Sequence, residues 1–510
     1  MTENRDEQST GDSLATVLSG GALVSAGKVL ALGFGFFTQI AMARLLTEAA
    51  YGNVVLALAV VNIAGLVAKL GLDDGVMREY PHHEDDPAEA HGVVRASTVI
   101  TVTSGLVTAI VLFLAAPTIA RVVFDDASLI PLFRIGSIAI PFITTSSVAV
   151  SLARGARDAR VQAYVRQIFQ PAARLLFVGG LLLAGFNAVG AISGQIAAIV
   201  LAALAAFYMA RRSLPSFDVS PNPMYRSVLA FSLPLIAVQG MGFLNSNVDV
   251  YMVGYFMNSS SLGVYNISLQ LGNIVNSILG TTGFLLPPML TRLQQRGQNT
   301  EMLRTYQVVT KWMVVLIIPV FIVLFFAPRL VIGLFFGESY TRGTLALRIL
   351  LAGKFITIIM GLNSSALIAL GKNRVVSYIV FCETAVNVAI NFILIPVIGF
   401  EGAAIGMTIS TIIGDALGVA ILYRRFGLHP FTRSVLSPVA AIGVVSTVGY
   451  GTLWLLGLPT YLTVGLVGIA YLPIIAILAP EPEDEKLLTQ VEDQTGYDLE
   501  VVRDVVSSFR

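Results

Sequence analysis

The chain has 510 residues, of which 55% are hydrophobic and 12% charged, and a mean hydropathy of +0.79. A soluble domain carries about 25% charged residues, so this composition excludes a water-soluble enzyme, a disordered chain and a disulfide-stapled secreted domain. The 32 Lys and Arg nearly cancel the 31 Asp and Glu, leaving no bulk field for nucleic acid, and the single cysteine, Cys382, has no partner for an intrachain bridge. The class is integral membrane protein.

A helix needs about 20 mostly apolar residues to cross the roughly 30 Å hydrocarbon layer. Fourteen runs qualify, at 19–43, 51–72, 93–115, 129–152, 167–186, 188–210, 229–256, 262–286, 309–335, 344–370, 375–397, 401–423, 434–457 and 459–479. They are too long for strands and lack the period-2 alternation of an outer-membrane barrel. The first run is too long for a cleavable signal peptide, and no positive segment precedes it. With the amino terminus in the cytoplasm, most Lys and Arg fall in cytoplasmic segments, including Arg154, Arg157, Arg160 and Arg166 and the pairs Arg211–Arg212 and Arg424–Arg425. The positive-inside bias and the even helix count then predict a multi-pass protein of the cell (cytoplasmic) membrane with both termini cytoplasmic. Acidic residues gather at 3–12, at 73–89 and after Pro480. In that last segment Leu499, Val502, Val505, Val506 and Phe509 have helical spacing, which fits a short amphipathic helix on the membrane or a solvated tail.

The two parts of the chain match at an offset of 211 to 214 residues. Gly52 and Asn62 correspond to Gly263 and Asn273, Arg160 and Tyr164 to Arg374 and Tyr378, and Gly190 and Gly194 to Gly402 and Gly406. Both sixth runs end in paired arginines. Six crossings return the chain to its starting side, so the repeats are parallel and relate by a pseudo-two-fold axis along the membrane normal. The expected organisation is an N-terminal cytoplasmic tail (1–18), an N-lobe (19–212), a cytoplasmic linker (213–228), a C-lobe (229–425), two further helices (434–479) and an acidic cytoplasmic tail (480–510). A cleft between two such lobes permits alternating access by rocking. No Walker-type phosphate loop is present to hydrolyse ATP.

Polar side chains at mid-membrane face a partner or a wet cavity. Lys28, Gly35 and Gln39 share a stripe in run one, Asn62 and Lys69 in run two, and Arg166, Gln170 and Arg174 in run five. Run seven carries Asn245, Asn247 and Asp249, run eight Asn266, Gln270, Asn273 and Ser277, and run eleven Glu383, Asn387 and Asn391. Runs one, two and five are the repeat counterparts of seven, eight and eleven. The candidate anion-binding set is therefore Lys28, Gln39, Asn62, Gln170, Arg174, Asn245, Gln270, Asn273 and Asn387. Asp249 and Glu383 are candidates for coupling to a proton or sodium gradient. The competing reading is that Asn and Gln join neighbouring helices. Lys69 has the position of a snorkelling lysine, while Lys354 and Asp415 suit local pairing. The His82–Asp86 stretch reads as a solvated acidic turn. No catalytic set and no metal site can be assembled.

ARLLTEAAYG at the first helix junction, DVYMVGYFMNSSSLGVYNIS across runs seven and eight, and GFEGAAIGMTIS entering run twelve resemble the multidrug/oligosaccharidyl-lipid/polysaccharide (MOP) exporter superfamily, in its prokaryotic polysaccharide-biosynthesis flippase branch. The resemblance implies an all-α, MATE-like fold of about 14 transmembrane helices, with two parallel six-helix lobes plus two C-terminal helices. It implies a non-enzymatic transporter that moves a polyprenyl- or dolichol-linked oligosaccharide from the cytoplasmic to the outer leaflet, without a cofactor. Expected partners are that lipid-linked substrate, membrane lipids, and the glycosyltransferases and polymerase or ligase of the pathway. The expected state is a monomer. Two alternatives stand beside it, an ion-coupled organic-cation or multidrug exporter and a non-transporting scaffold for glycosyltransferases. The acidic residues typical of the drug-export branch are missing from run one, which has Lys28 and Gln39 instead.

Overall fold

The computed structural model describes residues 27–282 and 286–478. The expected tails at 1–18 and 480–510, with the amphipathic helix of the latter, lie outside the described residues, as does the side chain of Ser277. Every regular element among the described residues is helical. Among the described residues, each of the fourteen apolar runs overlaps helix, and 11 helical stretches, rather than fourteen, are long and apolar enough to span a membrane. Three runs stand outside that set. Two of them, in the segment 162–183 and in Ser259–Thr282, carry the polar stripes that lower hydropathy, and the third, Thr463–Leu478, is short.

The chain divides into two compact units between Gly263 and Val264. The first contains α1 (Gly27–Leu45), α2 (Glu48–Lys69), α3 (Leu72–His82), α4 (Pro87–Thr118), α5 (Leu129–Ser137), α6 (Ala139–Gly155), α7 (Gln170–Leu183), α8 (Ala188–Ser213) and α9 (Tyr225–Phe256). Helix α10 (Ser259–Thr282) starts in the first unit and continues into the second. The second unit holds α11 (Leu286–Gln295), α12 (Asn299–Phe326), α13 (Pro328–Phe335), α14 (Thr344–Ile359), α15 (Asn363–Ala369), α16 (Asn373–Ile398), α17 (Phe400–Phe426), α18 (Arg433–Leu455) and α19 (Thr463–Leu478). Helix α9, the first of the expected C-lobe, packs on α2, α3 and α4.

Local sequence sets the element ends. Asp86 caps α4 by accepting from the amides of Ala88 and Glu89, and Pro87 occupies the first turn, where its missing N–H costs nothing. The chain turns between α2 and α3 through Leu70 and Gly71, both left-handed. A π-helical stretch, Gln162–Phe169, leads into α7, whose second residue is Pro171. Proline donates no hydrogen bond to the preceding turn, and a locally widened helix accommodates the gap.

The repeat is visible in atomic detail. Thr47 Oγ1 accepts from the Ala50 amide at 3.2 Å at the start of α2, and Asn258 Oδ1 accepts from the Ser261 amide at 2.9 Å at the start of α10. Both caps shift by the repeat offset. Gly194 brings α8 onto the α7 backbone, where a Cβ would lie 2.7 Å from the Val178 nitrogen. Gly402 brings α17 onto α16 in the same way, with a Cβ 2.6 Å from the Leu394 carbonyl carbon. Lipid is as apolar as leucine, so such close backbone packing, rather than hydrophobic collapse, joins helices in a bilayer. Large side chains such as Leu114, Leu183 and Val397 stay uncovered, as an apolar solvent permits.

Candidate functional site

Within the first unit, α7 and the π-helical stretch before it present the polar stripe most directly. Arg166, in that stretch, and Gln170 and Arg174, on α7, follow one another at four-residue spacing. Arg166 Nη2 donates to Ser147 Oγ on α6 at 2.7 Å. Gln170 and Arg174 are half-buried, and neither has a hydrogen bond or ion pair among the described residues. The Arg174 Nε is shielded from solvent and unpartnered. A guanidinium is a permanent cation with five donors, and the described residues give the Nε of this one no acceptor.

Lys28, at the start of α1, is exposed. Gln39 is half-buried, and its Oε1 accepts from the Tyr51 hydroxyl at 2.8 Å, tying α1 to α2. Asn62 is exposed on α2 without a hydrogen bond among the described residues. Asn245 is half-buried and Asp249 is 5% exposed on α9, and both have polar partners. Asp249, expected in the C-lobe, thus sits in the same compact unit as Arg174 and Lys28.

A second constellation in this unit was not singled out from the sequence. Gln239 on α9 donates to Asp73 Oδ1 at 2.7 Å and to Asp74 Oδ2 at 2.9 Å, while Lys69 Nζ stands 3.4 Å from Asp73 Oδ2. The Lys69–Asp73 spacing of four residues signals that pair, but nothing in the sequence signals a glutamine 166 residues away.

In the second unit the polar residues mostly meet one another. Asn387 is 3% exposed and donates to Ser410 Oγ at 3.4 Å, and Asn391, fully buried, donates to Asn387 Oδ1 at 2.6 Å. Glu383, half-buried, lies against Gly414, and Asn391 against Gly406. The stripe on α16 therefore fits a row of small residues on α17. Asn273 Oδ1 accepts from Lys354 Nζ of α14 at 3.2 Å. Asp415 Oδ1 accepts from Asn363 Nδ2 at 2.9 Å. Gln270 is exposed and has no hydrogen bond among the described residues. Lys311, near the start of the apolar run 309–335, is 1% exposed within α12, 5.4 Å from the Trp312 ring centroid.

The His82–Asp86 turn is built from local contacts. His83 lies 2.7 Å from Glu89 and 3.4 Å from Glu79, and Glu84 pairs with Arg157 at 2.7 Å. The hydrogen bond to Glu89 raises the His83 pKa above its ordinary value, with Glu79 adding to it against the opposing effect of burial.

The family model for polysaccharide biosynthesis proteins matches residues 41–344, more than half of the chain. The chain is 24% identical over 404 residues to a Shigella flexneri protein named for O-antigen transport, covering 75% of this chain and 92% of that one. It is 22% identical over 286 residues to a Haloferax volcanii protein named for flippase function in low-salt glycan biosynthesis, covering 55% and 59%. A match to an uncharacterized membrane protein of Methanocaldococcus jannaschii, 20% identical, spans 42% of this chain and 44% of that protein. In fold the chain is similar to the lipid II flippase MurJ, with a TM-score of 0.69, 14% identity, and coverage of 89% of this chain and 98% of that one. It is likewise similar to a multidrug-resistance MATE family transporter of the MOP superfamily, with a TM-score of 0.64, 16% identity, and coverage of 80% and 98%. The helices, the repeat and these likenesses converge: the chain is a multi-pass membrane protein with the MATE-like fold of the MOP superfamily and belongs to the polysaccharide biosynthesis protein family.

Proposed function

We propose that the protein is a flippase that carries a polyprenyl- or dolichol-linked oligosaccharide across the membrane for cell-surface glycan assembly. The observation that carries this reading is Arg174, a cation within a membrane-embedded helix that the described residues leave unpaired, with Gln170 one turn away. A full charge in hydrocarbon is costly, and a phosphate-linked sugar supplies both the counter-charge and the acceptors that a guanidinium needs. The names borne by the Shigella and Haloferax relatives support the same substrate class.

In this reading the headgroup enters a hydrated cavity while the polyprenyl tail stays in lipid. Arg174, Gln170 and Lys28 meet the phosphate, and Asn62 supplies neutral hydrogen bonds to sugar hydroxyls. No bond is made or broken. The carriage follows an alternating-access cycle, with both termini on the cytoplasmic side. Asp249, a buried carboxylate, is the candidate for coupling to a proton or sodium gradient. An organic-cation exporter needs a net acidic cavity, and the uncovered charge on α7 has the opposite sign.

The test is reconstitution into vesicles with a fluorescent polyprenyl-linked glycan, following leaflet exchange. Acceleration over empty vesicles is expected. Its absence across several glycan types, with folded protein in the bilayer, overturns the reading.

A further inference from the structure

A groove on the first unit lies apart from the polar stripes. Its inner part is a cavity of about 600 Å³ between α4, α5, α6 and α8, walled by apolar side chains including Leu106, Ala109, Phe113, Ile138 and Leu204. A second cavity of about 610 Å³ adjoins it, sharing Thr145 and Phe207 as walls. This outer part has a different chemistry. It is lined by Arg95, near the start of α4, and Arg211, in the last turn of α8, with Thr98 and Thr101 below them. No carboxylate lines either cavity.

Three observations point to a ligand at the mouth. Arg95 and Arg211 are both exposed, and neither has a hydrogen bond or ion pair among the described residues. The Thr101 side chain is fully buried, and its hydroxyl has no partner. The outer wall is also held in place: His91 Nδ1 lies 2.8 Å from the Val219 carbonyl oxygen, and its ring stacks on Phe217 at 4.9 Å. The segment after α8 is thereby fastened over the start of α4, where the Asn222 amide donates to the Ala88 carbonyl at 2.9 Å.

We propose that this groove binds an anionic membrane phospholipid, with one acyl chain in the apolar part and its phosphate between Arg95 and Arg211. Two arginines with no acidic neighbour in the cavity complement a phosphodiester, which each can engage through paired N–H donors. A basic pocket between membrane helices at the charged end of a bundle has the chemistry of an anionic headgroup site. The apolar part continues from it along α4 and α8, the direction an acyl chain takes in a bilayer. This site is independent of the flipping of any glycan.

Native mass spectrometry of the full chain, released from nanodiscs of equal phosphatidylglycerol and phosphatidylcholine, tests it. The wild-type protein retains phosphatidylglycerol over phosphatidylcholine by about tenfold. R95Q/R211Q abolishes that preference. R212Q preserves it, because Arg212 sits over the Tyr208 ring at 4.6 Å rather than in the groove. Ala109→Phe and Ala109→Trp, which fill the apolar part, lower retention of the lipid progressively. Equal retention of the two lipids by the wild type, an unchanged preference in R95Q/R211Q, or equal losses in R95Q/R211Q and R212Q overturns the proposal. Circular dichroism of each variant confirms that the lipid loss occurs in folded protein.

Discussion

Gly52 on α2 and Gly263 on α10, the two residues that the sequence repeat equates, stand directly against each other. A Cβ added to Gly52 would lie 3.1 Å from the Gly263 nitrogen, and one added to Gly263 would lie 3.3 Å from the Gly52 nitrogen and 2.6 Å from the Glu48 carbonyl oxygen. Glu48 also accepts a hydrogen bond from the Ser260 hydroxyl at this crossing. Glycine is required here by proximity, because any side chain would drive the two helix starts apart.

Alanine at either position should therefore destabilise the protein. Gly52→Ala and Gly263→Ala each introduce a methyl group where backbone already packs, and overpacking costs about 1–3 kcal/mol. At Gly179 on α7, an added Cβ would meet nothing within 4 Å. Gly179→Ala should leave stability unchanged or raise it by up to about 1 kcal/mol, since Ala is the better helix former. Thermal unfolding of the three variants in detergent separates them. A Gly52→Ala protein as stable as Gly179→Ala would remove the crossing as a structural constraint.

His83 gives the turn between α3 and α4 a pH dependence. Its pKa in the folded protein is raised above 6.5, first by the hydrogen bond to Glu89 and then by Glu79. A raised histidine pKa means that protonation favours the folded turn, so the contribution is fully present below the unfolded value of 6.5 and is lost as pH rises through the folded value. The stability difference between the wild type and His83→Gln should shrink as pH goes from about 6 to about 8. A difference that is flat or grows over that range contradicts the assignment.

Arg174 should separate function from stability. A half-buried cation in a membrane helix whose Nε is shielded and lacks a partner among the described residues destabilises the structure that holds it. Arg174→Gln is expected to raise the unfolding free energy by about 1–3 kcal/mol while lowering glycan flipping about tenfold or more. Arg174→Lys keeps the charge but loses the paired donors, so it should recover part of the activity. A variant that loses stability and activity together would indicate a structural arginine instead.

Hydropathy located the 11 helical stretches long and apolar enough to cross a bilayer, because it reads the length and apolarity that a bilayer demands. It did not find α3, whose Asp73, Asp74, Arg78 and Glu79 interrupt the apolar signal although Leu72, Val76 and Tyr80 form a buried helical face against α4, α6 and α9. The repeat was legible because its glycines and capping residues answer to backbone geometry. Side-chain partners were not. The spacing of Glu383, Asn387 and Asn391 shows that they share a face, but only the packed structure shows that this face meets Gly406, Ser410 and Gly414. Helical periodicity gives a direction, and what stands in that direction belongs to another helix.

Asn62 and Asn273 carry that lesson into a test, since the repeat equates them and their surroundings differ. Asn273 accepts from Lys354 Nζ, a lysine 8% exposed, across α10 and α14. Asn62 is exposed and has no hydrogen bond among the described residues. Interhelical hydrogen bonds in membranes contribute about 0.6 kcal/mol on average and up to about 1.7. Asn273→Ala should thus lower stability by about 1–2 kcal/mol, and a double-mutant cycle with Lys354→Met should return a coupling of about 0.5–1.7 kcal/mol. Asn62→Ala should leave the unfolding transition within about 0.5 kcal/mol of wild type and, under the flippase role proposed above, act on transport alone, because Asn62 joins no second helix by a hydrogen bond among the described residues. Equal stability losses at the two positions would mean that the repeat has kept its chemistry as well as its backbone, and Asn62 would then join two helices as Asn273 does.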